Sequence, residues 1–514
     1  MALGTDADLQ ITVIDIGLQL EPERARLAAS LAAQPPAEWD LGAVGDIAAQ
    51  PVATEGGGLP QKRSYGSDFA FRDVGQLTGL SAADDVNAAV ISAAYGGYSN
   101  VWGAQVMPFA ASVLEQWPVT YSQLVPHYTR ILERIPFIAE EDDLATLFPL
   151  LAPAAPLPHV SRRTEWVLAA YDRHRARLRR RGLTLGRARL AVDGARCMGV
   201  GLCLTGCPYS LIYSAAQTLD ELRRSGRITY RRGLTALSVS EEGSIATVRA
   251  RDSAGVIHRF DADRIYIACG AVSSTRLALT SLGRFDQEVE MLESRQFTLP
   301  FLSVRPTPDL QAEGRFTLNQ FNMTVDADDR GYDLSQLHFY TYNPAFEDAL
   351  PRPLRATSAA GLRRQLLRRL CVALGYLPSW RSPRIRLRAY PPGSPGALAA
   401  LDISSGPAPA EGRAMLRTIM KEVTFAAPLL DLYPLLPFLS TSAPAKSYHV
   451  GGSFPHASKG TSIFSSDRLG RVGGWRRIHL VDAAVFPSIP ATTFTLTVMA
   501  NAHRIASETK TLEG

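Results

Sequence analysis

The stretch SYHVGGSFPH (447–456), followed by GRVGGWRRIHLVDAAVFPSIPATTFTLTVMANAHRIA (470–506), decides the fold. An apolar run, IHLVDAA, ends in an acid at a tight turn, and a Pro-Ser-Ile-Pro loop then leads into an apolar helix opened by threonines. Strand, turn and helix in that order put Asp482 and the backbone N–H groups after it where a strand end meets a helix N-terminus, a natural seat for an anionic or polar cofactor group. Working outward, ITVIDIG (11–17) is a near-continuous apolar run closed by an acid and a glycine, the pattern of a strand buried in a parallel sheet. From Ile228 to Ala268, RITYRRGLTALSVS, SIATVRARD and IHRFDADRIYIACGA alternate between turn residues, predicting a small antiparallel meander that feeds a buried strand over 264–268.

A second strand-rich block covers 296–342, where period-2 alternation in LHFYTYN sets His338, Tyr340 and Tyr342 on one face. That face either lines a pocket or turns to solvent on a half-exposed sheet. The spacing of TEWVLAAYDRHRARLRRRG (164–182) predicts a basic surface helix closed by glycine. Residues 362–380, with Leu and Arg at helical spacing, predict another basic helix, and the Ala-, Pro- and Gly-rich residues 21–60 a short helix and loops.

The 514 residues carry 54 Lys+Arg against 49 Asp+Glu. An excess this diluted does not make a nucleic-acid surface. No apolar run reaches the roughly 18 residues of a membrane span, and the acidic start MALGTDADLQ lacks the basic and apolar regions of a signal peptide, which points to a cytoplasmic protein with peripheral membrane association left open. Five cysteines, few and odd in number, favour a reducing compartment or metal ligation over a disulfide scaffold.

Together with GGYSNVWGA (96–104) and ACGAVSSTRLAL (268–279), the C-terminal text resembles the glucose–methanol–choline (GMC) flavin oxidoreductases, over about residues 11–506. The resemblance implies an α/β (α+β) fold: a discontinuous Rossmann-like FAD-binding domain (1–115, 190–295 and 447–514) and an antiparallel-sheet substrate or cap domain (116–189 and 296–446). It implies hydride transfer from a sugar, polyol or related alcohol to FAD, and electrons passed on to an acceptor, with a partner protein a candidate for that role. By matching motifs, Asp15 is expected to take the adenosine ribose hydroxyls and Gly96, Gly97, Ser99, Asn100 and Gly103 to form a second flavin loop. Leu234 should meet the adenine through its backbone, Gly270 and Ala271 should pass the dinucleotide, and Asp482 and Ala483 should meet the pyrophosphate and ribityl chain.

His449 stands at the HxxG[ST] histidine, the base that removes the hydroxyl proton in that family. Imidazole suits the task because it titrates near neutrality. The family's usual Asn or His before the last helix is replaced by Thr493, which keeps only hydrogen-bonding capacity.

The run CMGVGLCLTGCPYS spaces Cys197, Cys203 and Cys207 as C-x5-C-x3-C-P, the bacterial ferredoxin run with Val200 in place of one ligand. Three thiolates at this spacing are expectation for a [3Fe-4S] cluster of the kind that the FAD-dependent sugar and polyol dehydrogenases carry; the alternative is a loop of buried thiols. A dinucleotide unit normally opens with a strand, a G-x-G-x-x-G turn and a helix about 20 residues before its ribose-binding acid. Counting back from Asp15 leaves no room for it, and the sequence holds no G-x-G-x-x-G. The expectation is thus a GMC fold lacking its first βα unit. The other reading is a non-catalytic relative that binds no FAD and acts as scaffold or partner subunit.

Overall fold

The computed structural model describes residues 1–49, 63–72, 91–328, 331–394, 396–444, 446–458 and 462–510. In chain order the strands are β1 (Thr12–Asp15), β2 (Leu183–Arg187), β3 (Thr229–Arg232), β4 (Thr235–Glu242), β5 (Ile245–Arg251), β6 (Ile257–Ala262), β7 (Ile265–Ile267), β8 (Glu288–Glu293) and β9 (Gln296–Leu302). They continue with β10 (Phe321–Asp326), β11 (Leu334–Tyr340), β12 (Leu370–Tyr376), β13 (Ile385–Ala389), β14 (Leu401–Ser405), β15 (Tyr433–Pro434), β16 (Ser440–Thr441), β17 (Val450–Gly451) and β18 (Ile478–Leu480). Helices of eight or more residues are α1 (Pro22–Ala32), α2 (Leu41–Ala48), α3 (Tyr121–Leu132), α4 (Arg162–Arg179), α5 (Ala215–Arg224), α6 (Ala271–Ser281), α7 (Ala360–Leu367), α8 (Ala410–Leu430) and α9 (Thr495–Lys510). Of the stretch read as helix and loops over 21–60, residues 21–49 form α1, α2 and their connections, and the remainder lies outside the described residues.

Two parallel pairs carry the strands expected in a parallel sheet. β1 pairs with β3 (Asp15 opposite Arg232), and β7 pairs with β18 (Ile267 opposite Leu480). Among the described residues no strand joins one pair to the other. The meander is present as β4–β5–β6, but TYRR does not belong to it: β3 leaves the meander to lie along β1.

The largest sheet is antiparallel, in the order β15–β9–β12–β11–β10–β2, with β16 also on β9. One face is apolar. Phe297, Leu299, Phe301, Phe321, Met323, Phe339 and Cys371 pack there under α4 and α8 in a single core, with Phe321 stacked on Phe339 at 4.5 Å. Gly375 is needed at its place because the Phe297 ring occupies the space where a Cβ would sit. α4 is set by Ser161, whose hydroxyl accepts the Thr164 N–H, and closes before Gly182 at φ +71°. Arg181 holds α8 through a forked pair with Glu422 at 2.7 and 2.6 Å.

The helix expected over 362–380 is corrected. α7 ends at Leu367, and LCVALGY forms β12 between β9 and β11. Seven residues with Cys371 and Ala373 facing the core satisfy a strand's period, and two waiting partner strands outweigh the Leu/Arg spacing. A further sheet, β14–β13–β8–β17, brings the strand after His449 against β8.

Candidate active site

The opposite face of the large sheet is polar and buried. Asn322 and His338 are cross-strand neighbours, as are Thr324 and Gln336, and all four are at most 4% exposed. Of the two readings of the His338 face, the solvent-facing one is excluded for His338 and Tyr340, which are buried; Tyr342 lies beyond the end of β11. His338 exchanges a 3.0 Å hydrogen bond with Gln336, and burial with the nearby His449 ring pushes its pKa down to about 3.

His449 sits at the end of this platform. Its ring stacks on Tyr376 at 4.4 Å and 10°, and the Phe494 ring leans on it at 4.7 Å. The Ser294 N–H donates to its carbonyl at 2.9 Å and its own N–H donates to Ser447 Oγ at 3.2 Å, so the backbone is fixed on both sides. Nδ1 is enclosed and has no partner, which leaves Nε2 as the nitrogen open to a ligand. The side chain is half-buried, and burial holds its pKa at about 3, so the imidazole is neutral throughout the physiological range. Thr493 and Thr492 each carry a buried hydroxyl without a partner. Their loop is strapped to β11 by the Gln336 N–H donating to the Ala491 carbonyl at 3.0 Å, and it opens α9. Tyr376, His338 and Gln336 completed this site without being singled out together in the sequence; Tyr376 was hidden inside the segment with helical spacing.

The strand ends gather the cofactor residues expected from the sequence. Asp482 receives the Ala484 N–H at 2.9 Å and the Ser274 hydroxyl at 2.5 Å, while burial raises its carboxyl. Gly451 packs so closely on the Ala483 carbonyl that a Cβ would lie 2.3 Å from it, and the Gly452, Phe454 and His456 N–H groups bond to the carbonyls of Ala483, Ala484 and Val485 at 2.8 Å each. The segment after His449 and the Asp482 turn are thus one ladder. Gly451→Ala is expected to destabilise the chain by about 1–3 kcal/mol, read as a lower urea midpoint, because the clash is with backbone and cannot be relieved by a rotamer.

Cys269 follows the end of β7; its N–H donates to Ser274 Oγ at 3.1 Å and that hydroxyl donates to Asp482, so the turn before α6 and the Asp482 turn are joined. Asp15 is raised by burial and accepts the Tyr230 hydroxyl at 2.9 Å, and the Leu234 N–H donates to the Asp15 carbonyl at 3.0 Å. The Gly96–Gly97 turn, with φ of +85° and +58°, follows Tyr95, whose N–H donates to Leu18 beside the β1 end. Ser99 and Asn100 are spent on structure: Ser99 Oγ accepts the Ala215 N–H at 2.8 Å at the start of α5, and Asn100 donates to the carbonyls of Tyr95 and Gly97. Tyr98 packs edge-on against Tyr448, so this loop abuts the residue before His449, and Gly103 lies against the Tyr340 hydroxyl.

Burial, with Cys203 and Cys207 nearby, pushes Cys197 up to about 11, and burial with Cys203 nearby raises Cys207. Val200, at the place of the second ligand, packs against the α1–α2 cluster. Among the described residues no group of three His, Cys, Asp or Glu side chains gathers to hold a metal ion. Protein purified anaerobically is expected to carry far less than one iron per chain; about three irons would show that the loop closes around a cluster.

No protein-family model matches the sequence, and no curated protein matches it. Among solved structures, pyridoxine 4-oxidase from Mesorbium loti superposes with a TM-score of 0.60 at 14% identity, covering 100% of this chain and 96% of that one. The two chains share one fold. The likeness spans both the parallel pairs and the large antiparallel sheet, and among the described residues no helix is long and apolar enough to cross a membrane.

Proposed function

We propose that this chain is a flavin-dependent oxidoreductase of the GMC type that oxidises a small alcohol, with His449 as the base. The observation that carries the reading is a neutral imidazole clamped between Tyr376 and Phe494, with one nitrogen enclosed and the other open; the Thr493 hydroxyl, without a partner among the described residues, precedes Phe494 in the chain. The residues fit FAD in part. The Gly270 turn and Asp482 are linked through Ser274 at the end of β7, Asp15 ends β1, and the helix after Gly270 has no side-chain cap on its first N–H groups, which suits strand ends where an open α/β sheet binds its ligand. When bound, FAD supplies the hydride acceptor.

What the chain's own residues do is hold the alcohol and take its proton. In this reading Thr493 Oγ1, which has no partner among the described residues, hydrogen-bonds the substrate oxygen. His449 Nε2 accepts the hydroxyl proton. A base this weak suffices because the hydroxyl becomes strongly acidic as the carbinol carbon loses its hydride, so transfer to the ring is downhill at that moment. The apolar walls of Tyr376 and Phe494 keep water from competing for the same proton.

The substrate belongs to the sugars, polyols or related CH–OH donors, and electrons then pass to a separate acceptor. That among the described residues no strand joins the two parallel pairs favours a second reading, a relative that folds without flavin and acts as a scaffold. Purification with added FAD, followed by desalting, separates the two. The expected result is flavin absorbance retained near one equivalent and bleached anaerobically by an alcohol from a panel of sugars and polyols. Colourless protein after reconstitution would establish the scaffold reading.

A further inference from the structure

The outer edge of the large sheet leaves apolar side chains in water. Beyond β9 the chain runs back as β15 and β16, with Tyr433 opposite Leu302 and Ser440 opposite Thr298, and between them Leu436–Phe438 makes one exposed turn of 3-10 helix at the edge. Phe438 is 60% exposed, and Leu436 and Tyr433 are exposed with it. Val304, 71% exposed, stands beside them: its N–H donates to Asp431 at 2.9 Å, two residues before Tyr433. Single apolar residues scattered over a surface need no explanation, but several on one rim mark a contact.

The neighbouring charge is of one sign. PRPLRATSAAGLRRQLLRRL (351–370) carries Arg352, Arg355, Arg363, Arg364, Arg368 and Arg369 and no acid. It ends against the rim: the Ser303 and Thr307 N–H groups, on either side of Val304 in the chain, donate to the carbonyls of Arg369 and Arg368 at 3.1 and 2.8 Å. Leu362, in α7, is 63% exposed among these arginines. Arg363 reaches Glu347 at 3.7 Å, but Arg355 and Arg364 are exposed and meet no carboxylate among the described residues. Arg368 and Arg369 bond to the Thr307 carbonyl and to Gln365, neutral partners that leave their charge standing. Asp431, the acid next to the rim, is taken by the Ser303 hydroxyl and the Val304 and Arg305 N–H groups.

We propose that this rim and the arginine segment form a docking surface for an anionic lipid bilayer. Apolar side chains that enter the headgroup region, with cations around them, hold a protein on a membrane without crossing it. A second copy of this chain fits worse, because a two-fold contact would set one arginine segment against the other. Addition of a further strand is disfavoured too, since β15 and β16 have two residues each and the turn between them interrupts the edge. An acidic protein would match the charge, but protein interfaces gather their apolar residues at a centre depleted of charge, whereas Leu362 stands among arginines. The inference does not depend on the flavin reading.

The test is co-sedimentation of the full chain with vesicles of phosphatidylcholine alone, or of phosphatidylcholine with roughly a third phosphatidylglycerol. The parent should bind the anionic vesicles at least about tenfold more tightly than the neutral ones, and raising salt from about 0.1 to 0.5 M should release most of it. Leu436→Ser with Phe438→Ser and, separately, Arg355→Gln with Arg364→Gln should each weaken binding at least about fivefold while leaving the thermal midpoint in place, since all four side chains are exposed. The comparison of the two vesicles on the parent stands even if a variant does not fold: equal binding to both, or to neither, overturns the proposal. Loss in the arginine variant with the serine variant unchanged, and retention of both on polyglutamate, overturns it in favour of an acidic protein. A concentration-dependent dimer in analytical ultracentrifugation, lost in the serine variant, overturns it in favour of a second copy.

Discussion

His449→Ala is expected to lower turnover of the flavin-loaded chain roughly a hundredfold or more while leaving bound FAD in place. The split follows from where the ring sits. His449 touches Tyr376 and Phe494 and makes no side-chain hydrogen bond among the described residues, so removing it empties a slot without breaking the ladder from Gly452 to His456 that holds the Asp482 turn. The pH profile supplies the sharper check. With the imidazole held near 3 by burial, kcat/KM should show no loss between pH 7 and 5, where an ordinary histidine base would already be protonated. Thr493→Ala should cost less, because a hydroxyl contributes one hydrogen bond. Turnover of His449→Ala within a few-fold of the parent would assign the proton to another group, and His338, next along the polar face, would be the first to examine.

The sequence made the site legible wherever the chemistry is written in consecutive residues. IHLVDAA with its following helix, the β4–β6 meander and α4 are each fixed by local periodicity and turn residues, and the structure has them. What was illegible is non-local. TYRR reads as one more strand of a meander because its neighbours in sequence are strands, yet its partner is β1, more than 200 residues earlier. LCVALGY carries the Leu and Arg spacing of a helix through its first residues and becomes β12 only because β9 and β11 offer edges on both sides. With that segment read as helix, Tyr376 could not be placed under His449.

Acidification from pH 6.5 to 4.5 is expected to destabilise the chain, and His456→Gln should flatten that dependence. His456 is 4% exposed and fixed as one neutral tautomer: Nδ1 donates to the Asp467 carbonyl at 2.6 Å, and Nε2 accepts from Asn501 at 3.1 Å. A second proton would have to sit on Nε2, against the Asn501 amide and close to Arg504, which is why burial and that guanidinium push its pKa down to about 3. His338, also 4% exposed, is held near 3 as well. Unfolded histidine titrates near 6.5, so below that pH the unfolded chain binds protons that the folded chain refuses, and stability present above 6.5 is lost as pH falls toward 3. Each site contributes about 2.5 kcal/mol to the loss by pH 4.5, against a total stability of roughly 5–15 kcal/mol. Buried carboxyls oppose this. Asp326 is raised to about 6, and Asp15, Asp142, Asp482 and Glu313 are raised too, so the folded chain holds protons there that the unfolded chain releases, which stabilises it on acidification. The variant removes that ambiguity, since the carboxyls act equally in both proteins. Urea midpoints should show the parent clearly more stable than His456→Gln at pH 7.5 and the gap closing by about 2–3 kcal/mol at pH 4.5. A gap independent of pH would mean that His456 takes up its proton in the folded chain, and the Asn501–His456–Asp467 chain of hydrogen bonds would then need the opposite tautomer or an added counter-charge.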